Sequence, residues 1–313
     1  MTSEQDSFEK QIHDYISYLD TLFGRAYKSN PLELLFAILR VGYLVDQDWD
    51  PFEESQRAFK ELNWLMEKAD KELSDIASSR IALLMYCQVV EMTVPHILLA
   101  NSLNIIAGKP YVMDPFFDLS HQRKKGFLNR IPASATVKMH RIKKLAKEVQ
   151  ELKLIETIES FFDDRVRNAF SHSDYIFTKD YFRWTEGGPA SQMSMSDLED
   201  KIRICFAFYG ALLECGSRWR RSFGKFPRYH KLPNYEVLEL LKDEEELVTG
   251  FKIHFSNGSY ASYSRGPDGS KPMNVRPNQD GSINFFVGDL DKFEKVWKID
   301  GKPVTNWDKV NNN

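Results

Sequence analysis

The sequence has few cysteines, little net charge and no long uninterrupted apolar run. Its 3 cysteines among 313 residues are too few and too dispersed for a disulfide framework. Neither Cys-x2-Cys nor His-x3-His spacing occurs, so we expect no structural zinc, no zincin site and no other cofactor. The phosphate-binding loops of P-loop and dinucleotide-binding enzymes and the Gly-x-Ser-x-Gly elbow of serine hydrolases are also absent, which leaves those three chemistries without support.

A secretory or membrane-spanning segment is not expected. The first thirty residues carry five acidic side chains, which argues against a signal peptide. The most apolar segment, 81–107, is interrupted by polar residues and by Pro95, so it predicts core helices. We therefore expect a cytoplasmic protein without membrane contact, in which Cys87 and Cys205 are free thiols within apolar helices.

The net charge of −3 results from the cancellation of acidic and basic segments. Residues 1–80 contain 16 acidic and 9 basic side chains, a net charge of −7. Residues 123–231 contain 22 basic and 13 acidic side chains, a net charge of +9. The near-neutral total is therefore no argument against a polyanionic partner of the middle segment.

Apolar residues recur at helical spacing over most of the chain, which predicts a mainly α-helical fold. Beyond a charged connector at 243–246 the spacing changes from 3.6 to 2, and Asn257-Gly258 is a hairpin signal. The predicted helices are 4–28, 32–45, 52–76, 79–107, 136–170 and 197–221, the last with a capping box formed by Ser196 and Glu199. Residues between 170 and 197 are expected to be irregular. The predicted domains are an acidic helical region at 1–75, a helical domain at 76–242 and a small β-rich module at 246–310.

A polar cluster follows a run of apolar residues at helical spacing from Ile155 to Ala169. Asn168 and His172 are neighbours at i and i+4, and Arg167 needs its long side chain, or a kink near 171, to reach the histidine. Arginine matches phosphate oxygens and histidine moves protons near neutral pH. The cluster suits metal-free cleavage of RNA, whose 2′-hydroxyl is the nucleophile. The alternative is a surface histidine beside a helix-terminal arginine.

The stretch from Asp163 to Ser173 resembles the signature of the HEPN superfamily, which is an arginine, a polar residue, three to five further residues and a histidine. Arg167, Asn168 and His172 match it, and the similarity extends over residues 75–222. The resemblance implies an antiparallel helical bundle, here with an N-terminal helical extension and the C-terminal β-rich module. It also implies a homodimer that brings two motifs together.

Many members of that superfamily are metal-independent endoribonucleases of toxin and defence systems. The resemblance therefore implies that His172 is the general acid and base, that Arg167 clamps the transition state, and that Asn168 orients the phosphate or the histidine. Other members are inactive and bind nucleotide, RNA or a protein as scaffolds, which is the alternative function. In some toxins a partner enzyme modifies a tyrosine two residues after the histidine. Tyr175 lies three residues after His172, so that regulation is not carried over.

Two segments rich in lysine and arginine indicate an RNA partner. Residues 121–147 contain nine basic and no acidic side chains, and 218–231 contain six basic side chains interleaved with aromatic ones. Phosphate neutralisation combined with base stacking holds single-stranded RNA. Solvated helix ends, or pairing with the acidic N-terminal region, are the alternatives. We also expect a regulatory protein partner, because an uncontrolled ribonuclease is toxic. The residues predicted to contact RNA are Arg123, Lys124, Lys125, Arg220 and Arg221.

Overall fold

The computed structural model describes residues 3–39, 51–72, 74–112, 114–119, 121–122, 130–185, 188–231, 237–254, 258, 260–264, 271–277, 283–288, 298–299 and 302–303. The helices within these ranges are α1 (Ser3–Ser29), α2 (Pro31–Leu39), α3 (Pro51–Glu72), α4 (Asp75–Glu91), α5 (Thr93–Ile106), α6 (Ala135–Glu148), α7 (Leu152–Phe161), α8 (Asp164–His172) and α9 (Met195–Phe223). The strands are β1 (His121–Gln122), β2 (Arg130–Ile131), β3 (Tyr175–Phe177), β4 (Tyr181–Trp184), β5 (Ser191–Ser194), β6 (Tyr229–Lys231), β7 (Val237–Lys242), β8 (Val248–His254), β9 (Tyr260–Ser264), β10 (Lys271–Pro277), β11 (Ile283–Gly288), β12 (Lys298–Ile299) and β13 (Lys302–Pro303).

The chain divides into two compact units, each assembled from separate parts of the sequence. Unit 1 comprises Met1–Leu22, Pro51–His96 and Lys138–Cys215, and unit 2 comprises Phe23–Asp50, Ile97–Val137 and Gly216–Asn313. The expectation of a mainly helical chain with a β-rich C-terminal region is confirmed. The two units do not coincide with the three domains predicted as consecutive segments.

The β-rich region begins earlier than predicted. Strands β6, β7, β8 and β9 form one antiparallel sheet in that order, so the sheet starts at Tyr229. The segment 243–246, predicted as the connector between helical and β-rich domains, is the turn between β7 and β8. The predicted hairpin is present as the antiparallel pair β8–β9, with His254 opposite Tyr260, and Gly258 between them has a positive φ of 82°. Asn257 lies outside the described residues.

The predicted helix over 136–170 is three helices. The first break lies at Gln150, which has a left-handed backbone with φ of 61°. The second lies between α7 and α8, where the Asp163 side chain accepts a hydrogen bond from the Arg165 N–H at 3.1 Å and caps α8. The apolar spacing continues in phase across this break, because Ile158 before it and Val166 and Ala169 after it are buried in unit 1 and share one helical face. The periodicity therefore showed the buried face and did not show the interruption.

Tyr86 of α4 fixes the corner between α7 and α8. Its side chain is 1% exposed, and its hydroxyl donates to the Phe161 carbonyl at 2.8 Å and accepts from the Asp163 N–H at 3.1 Å. These are backbone groups that the chain break would otherwise leave unpaired. Phe161 in turn stacks on Phe208 of α9, with ring centroids 5.6 Å apart. The core of unit 1 thus positions the start of α8.

Residues 175–194, expected to be irregular, form an antiparallel sheet in the order β3-β4-β5. Phe182 and Trp184 of β4 are buried while the alternate residues Tyr181 and Arg183 are exposed, which is the period-2 pattern of a half-buried strand. The predicted capping box of α9 is also displaced. Ser194, two residues before the predicted cap, accepts from the Asp197 N–H at 3.0 Å.

In unit 2, the buried carboxylate of Glu239 in β7 is hydrogen-bonded to a side chain of β8 and to the residue before β6. Its carboxylate accepts hydrogen bonds from His254 of β8 at 2.7 Å and from Arg228, the residue before β6, at 2.6 and 2.9 Å. The hydrogen bond from His254, together with those from Arg228, lowers the pKa of the Glu239 carboxyl against the opposing effect of burial. Arg228 is therefore committed to the sheet.

Within the described residues, no single helix has the length and apolar character to cross a membrane. The helices α4 and α5 satisfy those two criteria only as a pair, which is bent by 44°.

Removal of the Tyr86 hydroxyl is expected to destabilise the protein. Tyr86→Phe leaves the Phe161 carbonyl and the Asp163 N–H buried without their partner, so we expect a loss of about 1–3 kcal/mol in the free energy of unfolding. Urea denaturation followed by circular dichroism measures this loss. The matched control is Tyr181→Phe, because Tyr181 is 42% exposed. Equal stabilities of the two variants would contradict the role assigned to Tyr86.

Candidate functional site

The helix α8 carries the three residues of the predicted motif. It begins at the Asp163 cap and ends at His172, after which Ser173 adopts a left-handed backbone with φ of 59°. The helix runs to His172 without the kink that the sequence left open. Five residues of α-helix separate Arg167 from His172, which places them about 140° apart around the axis and about 7.5 Å apart along it.

Arg167 lies against α4. Its Nη1 is 3.1 Å from Glu91 Oε1, and the Arg167 side chain is 18% exposed. Glu91, the last residue of the mostly apolar helix α4, therefore pairs with the arginine of the motif.

Asn168 and His172 present a different face of α8. His172 is exposed and Asn168 is half-buried. Neither side chain has a hydrogen-bond partner within the part of the chain that the structure describes. As neighbours at i and i+4 they form one polar surface that is open to a ligand or to another chain.

The sheet that follows α8 supports the end of the motif helix. The Phe170 ring stacks on Tyr175 of β3 with centroids 5.5 Å apart, and Tyr175 contacts Phe182 of β4 at 5.4 Å. The Asp174 N–H also donates to the Ala169 carbonyl at 3.0 Å. His172 is therefore exposed on a backbone that packing and hydrogen bonds hold in place.

A cleft of about 630 Å³ lies in the same unit at the other end of α8. Its walls include Arg165 from the first turn of α8, Trp184 and Gln192 from the sheet, and Lys201 from α9. Arg165 lies over the Trp184 ring at 5.9 Å and pairs with Asp163 at 3.1 Å. These residues were not identified from the sequence. The alternation of exposed and buried residues in β4 could have identified Trp184. Arg165 and Lys201 have acidic neighbours in the sequence, so a count of net charge along the chain does not reveal them.

The structure describes only two of the five residues that were predicted to contact RNA. Arg123, Lys124 and Lys125 lie outside the described residues. Arg220 and Arg221 belong to unit 2, whereas Arg167 and His172 belong to unit 1. Arg220 donates from Nε to the Val248 carbonyl at 2.9 Å and so supports the sheet, while Arg221 is exposed. RNA binding by all five residues stays a prediction.

The described residues contain no group of three or more His, Cys, Asp or Glu side chains that could hold a metal ion. Next to the motif arginine, burial raises the pKa of the Cys87 thiol to about 12, although Arg167 lowers it to a smaller extent. A thiol with that pKa stays protonated near neutral pH and is not a nucleophile. The site also offers the imidazole of His172 and the carboxylate of Glu91 as acid–base groups.

No family model matches the sequence, and no curated protein and no solved structure matches the chain.

The three cysteines are expected to resist alkylation in the folded protein. Cys87 is 7% exposed, and Cys205 and Cys215 are fully buried. Burial also raises the pKa of Cys205, so no thiolate is available there at pH 8. Treatment with iodoacetamide followed by mass spectrometry should show no modification of the native protein and three modified cysteines after unfolding in urea. Rapid modification of Cys87 in the native protein would contradict the site geometry described above.

Proposed function

We propose that the protein is a metal-independent endoribonuclease of the HEPN type that cleaves single-stranded RNA as a homodimer. The observation that carries the proposal is the pairing, on one short helix, of a fixed arginine with an exposed histidine that has no partner among the described residues. An exposed imidazole can reach a substrate and exchange a proton with it. The similarity of Arg167, Asn168 and His172 to the HEPN signature supports the same function.

The chemistry requires no resident nucleophile. The imidazole of His172 removes the proton from the 2′-hydroxyl, whose oxygen attacks the adjacent phosphorus. The new bond to the 2′-oxygen forms as the bond to the 5′-oxygen breaks, and the leaving oxygen takes a proton from an imidazolium. The products are a 2′,3′-cyclic phosphate and a 5′-hydroxyl. The guanidinium of Arg167 stabilises the negative charge that develops on the phosphoryl oxygens.

Glu91 acts in this proposal as a positioning residue. Its ion pair holds Arg167 on the α4 side of α8. The planar guanidinium presents its donors in a fixed fork, so the orientation that Glu91 imposes also sets the direction in which phosphate is bound.

A homodimer would complete the site. Arg167 and His172 of one chain face in directions about 140° apart, so one phosphate contacts both most directly when two motifs meet. Leu84 of α4 is an apolar side chain that is 50% exposed. It lies seven residues before Glu91 and therefore on the same face of the helix. Ile176, in the strand after the motif, is 56% exposed. These two side chains provide an apolar contact beside the motif.

The cleft at the first turn of α8 is proposed to hold a neighbouring nucleotide. Arg165 and His172 are seven residues apart, which is about 10 Å along the helix. Gln192 offers hydrogen bonds to a base edge, and Lys201 offers positive charge to a phosphate in a cleft that Asp197 and Asp200 also line. A cytoplasmic location, a role in a toxin or defence system, and control by a protein partner belong to the same proposal.

The second candidate is a non-catalytic HEPN-like scaffold that binds nucleotide, RNA or a protein. The ion pair between Arg167 and Glu91 favours it, because it occupies part of the guanidinium and gives the arginine a structural role. The two functions differ in whether His172 faces a second motif across a dimer, and in whether the wild-type protein cleaves RNA.

Cleavage of RNA in the presence of EDTA tests the leading proposal. We expect the wild-type protein to leave 2′,3′-cyclic phosphate ends and His172→Ala to be slower by a factor of about 10²–10⁴, the usual contribution of general acid–base catalysis. Because His172 is exposed, the variant should unfold at the same temperature as the wild type. His140→Ala, which removes another exposed histidine of unit 1, is the matched control and should keep full activity. No cleavage by the wild type, or undiminished cleavage by His172→Ala, would favour the scaffold.

Dimerisation through the surface beside the motif is tested by the charge variant Leu84→Glu. We expect the wild type to be dimeric by light scattering, and the variant to dissociate and to lose cleavage activity, because a buried unpaired carboxylate opposes association. Leu152→Glu is the control, since Leu152 is 60% exposed on α7. A monomeric wild type, or equal dissociation of both variants, would refute this interface.

A further inference from the structure

A second cavity, of about 400 Å³, lies within unit 2 and is unrelated to the motif residues. Its walls include the rings of Tyr27, Phe223 and Phe226, and its polar lining consists of His230 and Lys231. The volume falls in the range of small-molecule sites, which are mainly apolar with a few polar groups that orient the ligand.

The aromatic rings of the cavity form a connected set. The centroids of Tyr27 and Phe226 are 5.7 Å apart, and those of Phe223 and Phe226 are 4.8 Å apart at an interplanar angle of 77°. Phe226 also approaches the His230 imidazole at 6.3 Å. Rings inclined in this way offer both a face and an edge to a planar ligand. Stacking of a base on such a ring is favourable and tolerates any base.

His230 supplies a polar atom that lacks a partner. Its Nε2 is buried and makes no hydrogen bond to the part of the chain that the structure describes. A buried polar atom without a partner lowers stability, so such atoms are rare unless a ligand or water completes them. The imidazole accepts or donates according to its tautomer, which suits the ring nitrogens and amino groups of a nucleobase. A purely apolar ligand would leave Nε2 unsatisfied.

Two exposed lysines lie near the cavity. Lys231 is exposed and lines the cavity, and Lys225 is exposed on the turn between Phe223 and Phe226. Residues 218–231 contain no acidic side chain. Arg228 of this segment is engaged by Glu239. An anionic group on the ligand is therefore favoured at its mouth.

We propose that this cavity binds one nucleotide, with its base among Tyr27, Phe223 and Phe226, a base edge hydrogen-bonded to His230, and its phosphate at Lys231. The nucleotide is either a free mononucleotide or one residue of an RNA strand. Binding here does not require cleavage at His172, because every residue of the cavity belongs to unit 2.

Isothermal titration calorimetry on the full-length protein tests the proposal with two probes. The first probe is a mononucleotide, and AMP, CMP, GMP and UMP are titrated separately. The second probe is a single-stranded RNA with 2′-O-methyl riboses. It lacks the 2′-hydroxyl nucleophile, so the chemistry proposed for His172 cannot cleave it. Saturable binding of a mononucleotide identifies a free-nucleotide site, and binding of the RNA alone identifies a strand site. Failure of both probes to bind would overturn the proposal whatever the outcome of the cleavage assay.

Two variants locate the binding in the cavity. His230→Phe keeps an aromatic ring and removes the hydrogen bond, and we expect a loss of affinity of about tenfold. Lys231→Gln should weaken AMP more than adenosine, because only AMP carries the phosphate. The matched controls are His13→Phe, on the exposed side of α1, and Lys252→Gln in β8, and both should bind as the wild type does.

Melting temperatures show whether the variants are folded, and they should match that of the wild type. A third variant, Leu32→Trp, fills the cavity from its apolar wall. It should abolish binding without lowering the melting temperature. Binding that is unchanged in both His230→Phe and Leu32→Trp would place the nucleotide elsewhere and overturn the proposal.

Discussion

The hydroxyl of Tyr86 determines where the motif helix begins, and one helix, α4, thereby controls most of the candidate site. Tyr86 pairs the last carbonyl of α7 with the N–H of the residue that caps α8. Five residues further along α4, Glu91 holds Arg167. The two contacts anchor α8 at its start and at its middle, and the aromatic contact of Phe170 with Tyr175 anchors its end. A nine-residue helix has little stability of its own, so these tertiary contacts are what keep His172 in place.

The parts of the fold that could be predicted are those that depend on local periodicity. Helical spacing identifies the buried face of the motif helix, and alternation together with Asn257-Gly258 identifies the β8–β9 hairpin. Periodicity does not reveal the break between two helices whose apolar faces continue in phase. The residue that marks this break is Asp163, a favourable N-cap residue inside what looks like one continuous helix. The sheet β3-β4-β5 could also have been found, since residues 181–184 alternate between exposed and buried. The pairing of Arg167 with Glu91 depends on contact between two helices that are far apart in the sequence. The spacing of residues in a single sequence does not show which distant segments are in contact.

Counts of lysine and arginine identify the basic segments but overstate the charge that is available to RNA. Arg220 supports the β8 backbone and Arg228 supports Glu239, so both serve the fold of unit 2. Arg203 pairs with Asp200 in the same way on α9. Arg165 lines the cleft beside α8 but pairs with Asp163, and Asp197 and Asp200 line the same cleft as Lys201. The position of a cation relative to its neighbouring carboxylates, and not its number in a segment, decides whether it can neutralise a phosphate.

The opposite orientations of Arg167 and His172 have a consequence for control of the proposed activity. If one chain held both groups around one phosphate, every folded monomer would be an active ribonuclease. On α8 the helical geometry separates them by about 140°, and the contact with Glu91 keeps the arginine on its own side. Under the proposed mechanism cleavage would require a second motif, so its rate would follow the concentration of dimer and not that of the single chain. Assembly itself would restrain the enzyme, in addition to any protein partner that binds the exposed face of α8.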